Sequence, residues 1–346
     1  MSLKDEIFEQ PSVVQGWLET SLPAVREVAA TIRARGCQSV VLAARGTSDH
    51  AGIYAQYLWG SRNRLSVALA APSLFTMFPA APHIEQALVV GISQSGQSPD
   101  IVAVVAEGRR QGALTLAITN DATSPLAEAA EFTLDIRAGQ EQAVAATKTY
   151  TAELLVVAAL SVVLAGESPT DRAALDALPA AMTAALQLDE AAAALASGHE
   201  AMNRCIVLGR GYHYATAREW ALKLKELAYV LADSYSPADF QHGPIALVEP
   251  GFRVLALAPA GAVLADQIEL LRRLRDDHGA ELLVLSDDDS ALALGAGALR
   301  LPAGVPEWLM PLVSIVPAQL YSYHLTRAKG LDAEQPRTIH KVTRTQ

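Results

Sequence analysis

The 346-residue sequence has few cysteines, few aromatic residues and no long apolar run. Its two cysteines, Cys37 and Cys205, are too few for a disulfide framework or a cysteine-based zinc module. Each opens an apolar run, which favours a small buried side chain over a reactive thiol. Aromatic residues make up 5% of the chain and hydrophobic residues 51%, so material for packed cores is ample but mostly aliphatic.

The sequence also lacks a segment suited to crossing a membrane. Its longest apolar run, Leu154–Ala165, has 12 residues, whereas a spanning helix needs about 20. The opening residues, MSLKDEIFEQ, carry charges where a signal peptide has its apolar core. We therefore expect residues 154–165 to form a buried helix and the protein to be soluble and cytoplasmic, without a membrane partner.

Positive charge is scarce as well. Lys and Arg total 27 against 37 Asp and Glu, which gives a net charge of −10. Proteins gain most of their affinity for nucleic acid by neutralising its phosphates with Lys and Arg side chains. An acidic chain without a Lys/Arg block therefore indicates no nucleic-acid partner. Net charge does not describe a single pocket, however, so a local anion site remains compatible with this composition.

Several cofactor motifs are absent. The sequence contains no phosphate-binding G-x-x-x-x-G-K-[ST], and Gly209-Arg210-Gly211 is not followed by the third glycine of the dinucleotide fingerprint. No H-E-x-x-H or Cys/His cluster occurs, and the eight histidines are scattered. We expect no metal and no cofactor.

Short apolar runs alternate with Ala-rich helical stretches along the chain. Uniformly apolar strands are typical of a parallel sheet that is buried on both faces. The expected strands are Val40–Ala44, Leu88–Ile92, Leu114–Thr119, Phe132–Ile136, Cys205–Leu208, Arg253–Ala258 and Leu282–Ser286. The expected helices are Asp49–Trp59, Ser98–Gln111, Tyr214–Leu231, Val263–His278 and Glu307–Lys329. The pattern predicts α/β domains with doubly wound parallel sheets, flavodoxin-like and three-layered (αβα).

The two halves of the chain resemble one another. VLAARGTSDHAG (41–52) is similar to VLGRGYHYATA (207–217), and Arg45-Gly46 matches Arg210-Gly211 at an offset of 165 residues. A repeat of that length indicates two copies of one domain. The predicted organisation is a first domain at 1–166, a helical linker at 167–201, a second domain at 202–327 and a tail at 328–346.

A hydroxyl-rich segment follows the expected third strand, where ligands of open parallel sheets bind. ISQSGQSPD (92–100) contains Ser93, Gln94, Ser95 and Ser98, and Gly96 permits close approach of the backbone. Hydroxyls and free N–H groups at a helix N-terminus suit a phosphate dianion. The same residues are also compatible with an ordinary helix start that has Ser98 as its N-cap and Pro99 after it.

Three further patterns carry candidate chemistry. Glu219, Lys223 and Glu226 share one helix face, which fits either a surface ion-pair stripe or a carboxylate and ammonium facing a pocket. His242 precedes Gly243-Pro244 in an expected turn, which restricts its backbone. Lys341 lies in a polar tail that otherwise reads as a frayed end.

Taken in order, these segments resemble the double sugar-isomerase (SIS) domain family over nearly the whole chain. The matching motifs are R-G-T-S (45–48), I-S-Q-S-G (92–96), A-x-T-K (145–148), G-R-G (209–211), E-x-x-x-K-L-K-E (219–226), H-G-P (242–244) and Q-P-R-x-x-x-K (335–341). The chain looks most like the class II glucosamine-6-phosphate deaminases, and it is also similar to the isomerase half of glucosamine-6-phosphate synthase. Ser2 stands where the synthases carry a nucleophilic cysteine, so we expect no glutaminase domain.

The resemblance implies roles for individual residues. Ser93, Gln94, Ser95 and Ser98 would hold the substrate phosphate, while Thr47, Ser48 and the backbone of Val144 would hold sugar hydroxyls. Glu226 would move a proton between the first two sugar carbons, with Lys223 supporting that site. His242 would open the sugar ring in the neighbouring subunit of a homodimer with composite sites, and Lys341 would close over the substrate.

Three positions depart from the synthases: Arg45 replaces a cysteine, Ser98 a threonine and Ala146 a serine that contacts the sugar. The expected reaction is conversion of glucosamine 6-phosphate and water to fructose 6-phosphate and ammonia. Other phosphosugar isomerases, a fructosamine-6-phosphate deglycase and an ammonia-dependent synthase remain alternatives. So does a non-catalytic sugar-phosphate sensor, although Glu226, His242 and Lys341 together favour an enzyme.

Overall fold

The computed structural model describes residues 2–339 and 341 of the chain. Within this part, no helix is both long and apolar enough to span a bilayer. The first half of the chain contains strands β1 (Ser39–Ala43), β2 (Ser66–Leu69), β3 (Leu88–Ile92), β4 (Leu114–Thr119) and β5 (Phe132–Asp135). Its helices are α1 (Leu3–Thr20), α2 (Leu22–Arg35), α3 (Gly46–Asn63), α4 (Ser73–Thr76), α5 (Pro99–Arg110), α6 (Pro125–Ala129) and α7 (Lys148–Leu164).

The second half begins with three helices and continues with a second set of strands. The three helices are α8 (Pro169–Asp176), α9 (Leu178–Leu186) and α10 (Asp189–Ser197). The strands are β6 (Arg204–Gly209), β7 (Leu231–Tyr235), β8 (Arg253–Leu257), β9 (Glu281–Ser286) and β10 (Gly297–Arg300). The remaining helices are α11 (His213–Leu227), α12 (Pro237–Phe240), a short 3₁₀ helix (Pro244–Leu247), α13 (Leu264–Asp276), α14 (Asp289–Leu292) and α15 (Met310–Ala328).

Both sheets have the same topology. The first has the strand order β2-β1-β3-β4-β5, and the second, read in the same sense, has β7-β6-β8-β9-β10. Every strand pair in both sheets is parallel. This is the doubly wound, flavodoxin-like order. The predicted fold class, two tandem α/β domains of this kind, is confirmed.

The cores follow from the apolar runs of the central strands. Every residue of β3 and β4 is buried, as strands covered by helices on both faces require. Helix α7 is buried from Lys148 to Val163, so the apolar run at 154–165 forms an interior helix as predicted. Helix α11 ends at Leu227, four residues before the expected end, and Leu231 opens strand β7 instead.

The described chain divides into two compact units. The first unit holds the first sheet, with residues 12–142, 146–177 and Lys341. The second unit holds the second sheet, with residues 2–11, 143–145 and 178–339. The predicted linker at 167–201 contains helices α8, α9 and α10. Helix α8 belongs to the first unit, whereas α9 and α10 pack against α15 within the second unit.

Candidate functional site

The predicted phosphate loop, residues 93–98, follows β3 at the point where the strand order of the first sheet reverses. In open parallel sheets ligands bind beyond the carboxyl ends of the strands at such a point. Backbone hydrogen bonds fix the loop there: the Ser93 N–H donates to the carbonyl of Ile118 (3.1 Å), and the carbonyl of Gln94 accepts from the N–H of Asn120 (3.1 Å). The loop is therefore held rigidly to the end of β4.

Gly96 gives this loop its shape. Its φ of +62° lies in the left-handed region, and a Cβ there would approach the Oγ of Ser124 to 2.0 Å. Its N–H bonds the Oγ of Ser93 (3.2 Å), so the loop curls over its own hydroxyl. Only glycine meets both the conformational and the steric requirement.

Ser98 occupies the N-cap position of α5, and Pro99 follows as the first helical residue. The Ser98 side chain makes no capping hydrogen bond, however. By contrast, Ser124 at the start of α6 caps its helix by accepting from the N–H of Ala127. An ordinary cap thus accounts for the position of Ser98 but not for its hydroxyl, and the contact of that hydroxyl with phosphate stays a prediction.

Arg45 and the first turn of α3 lie at the neighbouring strand end, after β1. The Arg45 guanidinium donates to the Asp100 carboxylate in the first turn of α5 (2.8 Å), and the Asp100 side chain has no exposed surface. A buried carboxylate beside the loop that is predicted to bind phosphate would repel that anion, and the arginine offsets the charge. Thr47 is half-buried, and the Ser48 hydroxyl donates to the buried carboxylate of Glu153 (2.8 Å).

The second unit carries the predicted proton-transfer group. On α11, the Lys223 ammonium lies 3.2 Å from the Glu219 carboxylate and 2.6 Å from that of Glu226. Lys223 and Glu219 are 1% and 0% exposed and Glu226 is 23% exposed, which excludes a surface ion-pair stripe. Burial alone would lower the pKa of Lys223, but the two carboxylates outweigh it and raise that pKa. Lys223 is therefore a fixed cation, and Glu226 is the member of the group that solvent reaches.

His242 lies in an exposed turn between α12 and the 3₁₀ helix. Its N–H donates to the carbonyl of Asp239 (3.1 Å), and Gly243 adopts a φ of +141°, so the backbone of the turn is fixed. Val144 is half-buried in the loop before α7. The first unit thus holds Ser93, Gln94, Ser95, Ser98, Thr47, Ser48 and Lys341, and the second unit holds Val144, Lys223, Glu226 and His242.

The C-terminal segment is anchored at two places. In the second unit, the Arg337 N–H donates to the Tyr229 hydroxyl (2.8 Å), and the guanidinium lies 3.8 Å from the Tyr229 ring centroid. In the first unit, the Lys341 ammonium forms an ion pair with the Glu141 carboxylate. Lys341 is therefore not a frayed end.

The second copy of the domain has a different loop at the equivalent strand end. Residues 258–263, after β8, contain no hydroxyl. Carboxylates of the chain itself bind its backbone amides: Asp287 accepts from Ala260 (2.7 Å) and Glu307 from Ala262 (3.1 Å). A phosphate at this loop would meet two like charges, so phosphate chemistry is expected at the first copy alone.

Sequence reasoning missed three side chains that shape these groups. They are Glu141, Glu153 and Asp100, all buried acids. The repeat could have revealed one of them, because Arg210 and Asp266 in the second copy form the same 2.8 Å pair as Arg45 and Asp100. Among residues 2–339 and 341, no cluster of three or more His, Cys, Asp or Glu could hold a metal ion.

Comparison with known proteins agrees with this architecture. The model of the SIS domain matches residues 35–163 and 200–328. Glutamine–fructose-6-phosphate aminotransferase [isomerizing] of Bordetella parapertussis is 35% identical over 98% of this chain and 57% of its own length. The chain thus spans little more than half of the curated relatives it matches.

Two solved structures are similar over almost their whole length. A proposed phosphosugar isomerase of Silicibacter pomeroyi is 36% identical with a TM-score of 0.86, covering 96% of this chain and 100% of that one. The C-terminal domain of glucosamine-fructose-6-phosphate aminotransferase of Francisella tularensis is 27% identical with a TM-score of 0.87, covering 96% and 98%. With the domain model matched twice, the chain belongs to the SIS-domain family.

Proposed function

We propose that the protein is an amino-sugar-phosphate isomerase that works as a deaminase, converting glucosamine 6-phosphate and water to fructose 6-phosphate and ammonia. The observation that carries this proposal is the group on α11, where a partly exposed carboxylate, Glu226, is held against a fully buried ammonium, Lys223. A carboxylate fixed on a helix next to a permanent cation suits transfer of a proton between neighbouring carbons.

The reaction balances with the residues of this chain. The exposed imidazole of His242 assists opening of the sugar ring, and the hydroxyls of loop 93–98 hold the phosphate at the other end of the open chain. Glu226 removes the proton from C2 and returns it to C1, while the aldehyde oxygen gains a proton and the amino nitrogen loses one. The product is a ketose imine, to whose C2 water adds. Ammonia then leaves, and C2 becomes the carbonyl of fructose 6-phosphate.

The runner-up is synthesis of glucosamine 6-phosphate from fructose 6-phosphate and free ammonia. The similarity to the isomerizing aminotransferases favours the same sugar phosphates in the opposite direction. The deglycase and simple aldose–ketose isomerisation share the proton transfer, but the deglycase releases the amine from C1 and the isomerisation releases no group.

The deciding experiment incubates the protein with glucosamine 6-phosphate, fructosamine 6-phosphate or glucose 6-phosphate, and separately with fructose 6-phosphate plus ammonium chloride. Ammonia, fructose 6-phosphate and glucosamine 6-phosphate are measured with time. Release of equal amounts of ammonia and fructose 6-phosphate from glucosamine 6-phosphate is expected, at a higher kcat/KM than any other substrate. Turnover of another substrate alone, or binding without turnover, would refute the deaminase assignment.

We also propose that the active protein is a homodimer in which His242 serves the site of the other subunit. His242 and its flanking residues Gln241 and Gly243 are exposed in the single chain, as a loop offered to a partner would be. An isologous two-fold dimer would place one such loop at each of its two sites.

A further inference from the structure

The loop before α7 contains a buried carboxylate with an unusual number of donors. The Glu141 side chain has no exposed surface. Its Oε1 accepts from the N–H of Thr147 (2.8 Å) and of Thr149 (3.2 Å), and its Oε2 accepts from the Thr149 hydroxyl (2.7 Å). The Thr147 hydroxyl adds a long hydrogen bond to Oε1 (3.4 Å), and the last donor is the ammonium of Lys341, which bonds Oε2.

The first three of these bonds hold the carboxylate at the N-terminus of α7. Thr147 is the N-cap residue of that helix, yet its side chain makes no capping hydrogen bond. Glu141 takes over this function from six residues upstream, and its negative charge is favoured by the positive end of the helix dipole. The carboxylate is therefore fixed in position whatever Lys341 does.

The hydrogen bond from Lys341 gives the C-terminal segment a fixed point. A lysine ammonium on its four-carbon stem has many rotamers in solution, and ordering it costs conformational entropy. Burial alone would raise the pKa of Glu141, but the Lys341 ammonium and the hydrogen bonds from Thr147 and Thr149 outweigh it and lower that pKa. The carboxyl group of Glu141 is therefore held as the carboxylate in the neutral range.

We infer that Glu141 is the positioning residue for Lys341, docking its ammonium at the start of α7 so that it is presented to the substrate in one orientation. This inference rests on the proposed function together with the role that the family resemblance implies for Lys341, which is to close over the substrate. Residues 142–146, which include Val144, connect Glu141 to the cap of α7, so the same carboxylate holds both ends of the loop that is predicted to contact the sugar.

A double-mutant cycle separates positioning from mere helix capping. Glu141→Gln keeps a carbonyl oxygen for the backbone donors but removes the charge that holds Lys341. Alone it is expected to lower kcat roughly tenfold, the scale of coupling between residues in direct contact, with KM changed by less than about threefold. In a Lys341→Met background the same substitution should leave kcat unchanged, because the partner through which it acts is already gone.

Equal losses of kcat in both backgrounds would show that Glu141 acts through the fold alone and would overturn the inference. The inference would also be overturned if Glu141→Gln left kcat unchanged or raised it in the wild-type background. If Lys341→Met itself has no effect on kcat, the role proposed for Lys341 fails, which is a different outcome from failure of the positioning. Glu167→Gln, which removes the partner of the surface residue Arg26, is the matched control and should leave kcat unchanged.

A second variant covers the case in which Glu141→Gln does not fold. Thr149→Val removes the hydroxyl that orients the Oε2 atom holding Lys341 and leaves both charges in place. It should lower kcat about threefold in the wild-type background and not at all with Lys341→Met. The same loss in both backgrounds contradicts the positioning role.

Discussion

At the scale of single residues, the assignment with the greatest consequence concerns Glu226. Glu226→Gln keeps the shape of the side chain and a hydrogen bond to Lys223 but cannot accept the substrate proton. We expect kcat to fall by about 10²-fold or more with little change in KM, because the base acts in the chemical step. Glu269→Gln, an exposed glutamate on α13, is the control.

The same variant allows a direct measurement of proton transfer. In D₂O the wild-type protein should incorporate deuterium at C1 or C2 of the sugar, and Glu226→Gln should lose this incorporation together with turnover. If solvent deuterium still enters at the wild-type rate, another residue moves the proton.

A second residue-scale prediction concerns acid stability. His213 is completely buried, and neither ring nitrogen has a hydrogen-bond partner within the part of the chain that the structure describes. Burial lowers its pKa to about 3, whereas an unfolded histidine titrates near about 6.5. At a pH between these two pKa values, the unfolded chain binds one proton more at this histidine than the folded chain does. Stability should therefore fall as pH drops below 6.5, by up to about 1.4 kcal/mol per pH unit.

His213→Leu removes the titrating group. The free energy of unfolding of the variant, relative to that of the wild type, should therefore rise as the pH falls from 7.5 to 5. Urea unfolding at several pH values measures this difference. His83→Asn, at a side chain that is 95% exposed, should follow the wild type. An identical pH dependence in wild type and His213→Leu would contradict the prediction.

At the scale of secondary-structure elements, the central strands could be predicted and most of the edge strands could not. Strands β3 and β4 occur at their expected bounds, because continuous apolar runs are buried on both faces. Strands β2, β7 and β10 were not expected. Each lies at a sheet edge and has two exposed residues, so its sequence signal is weaker than that of the fully buried central runs.

The candidate site likewise contains one part that the sequence predicts and another that it does not. The loop 93–98 could be placed because a strand, a glycine and a hydroxyl cluster are adjacent in the sequence. The bonds that Glu141 makes with Lys341 and Ser48 makes with Glu153 join residues 200 and 105 positions apart. No local pattern encodes such pairs, since they depend on how the chain folds back on itself.

The phosphate loop leads to an element-scale prediction. Ser95→Ala should raise KM for the sugar phosphate about tenfold or more, because a hydrogen bond to a charged group contributes roughly 1.5–3 kcal/mol. Within the loop, the Ser95 hydroxyl accepts a hydrogen bond from the N–H of Gln97. At 3.3 Å this bond is long, so the fold should tolerate its loss. Steady-state kinetics measures the effect, and Ser197→Ala, at an exposed end of α10, is the control. An unaltered KM would count against this loop as the phosphate site.

At the scale of the whole molecule, the two copies of the domain carry different candidate side chains. The first copy has a loop of hydroxyls after β3, while the backbone amides of the loop after β8 bind carboxylates of its own chain. The second copy instead has Glu226 on α11 and His242 in an exposed turn. Because His242 and Glu226 belong to the same copy, a homodimer with shared sites requires that one of them serve the other subunit.

Subunit mixing tests this requirement. His242→Asn and Glu226→Gln should each be inactive alone. If His242 acts on the partner's site, a mixed dimer contains one site with both lesions and one with neither. Mixing after reversible dissociation should then restore up to half of the wild-type activity per mixed dimer, since one of its two sites is intact. If each site lies within one chain, every site keeps a lesion and activity stays absent. No recovery despite demonstrated subunit exchange, or a protein that is strictly monomeric in sedimentation, would therefore exclude the composite site, and His242 would have to act within its own chain.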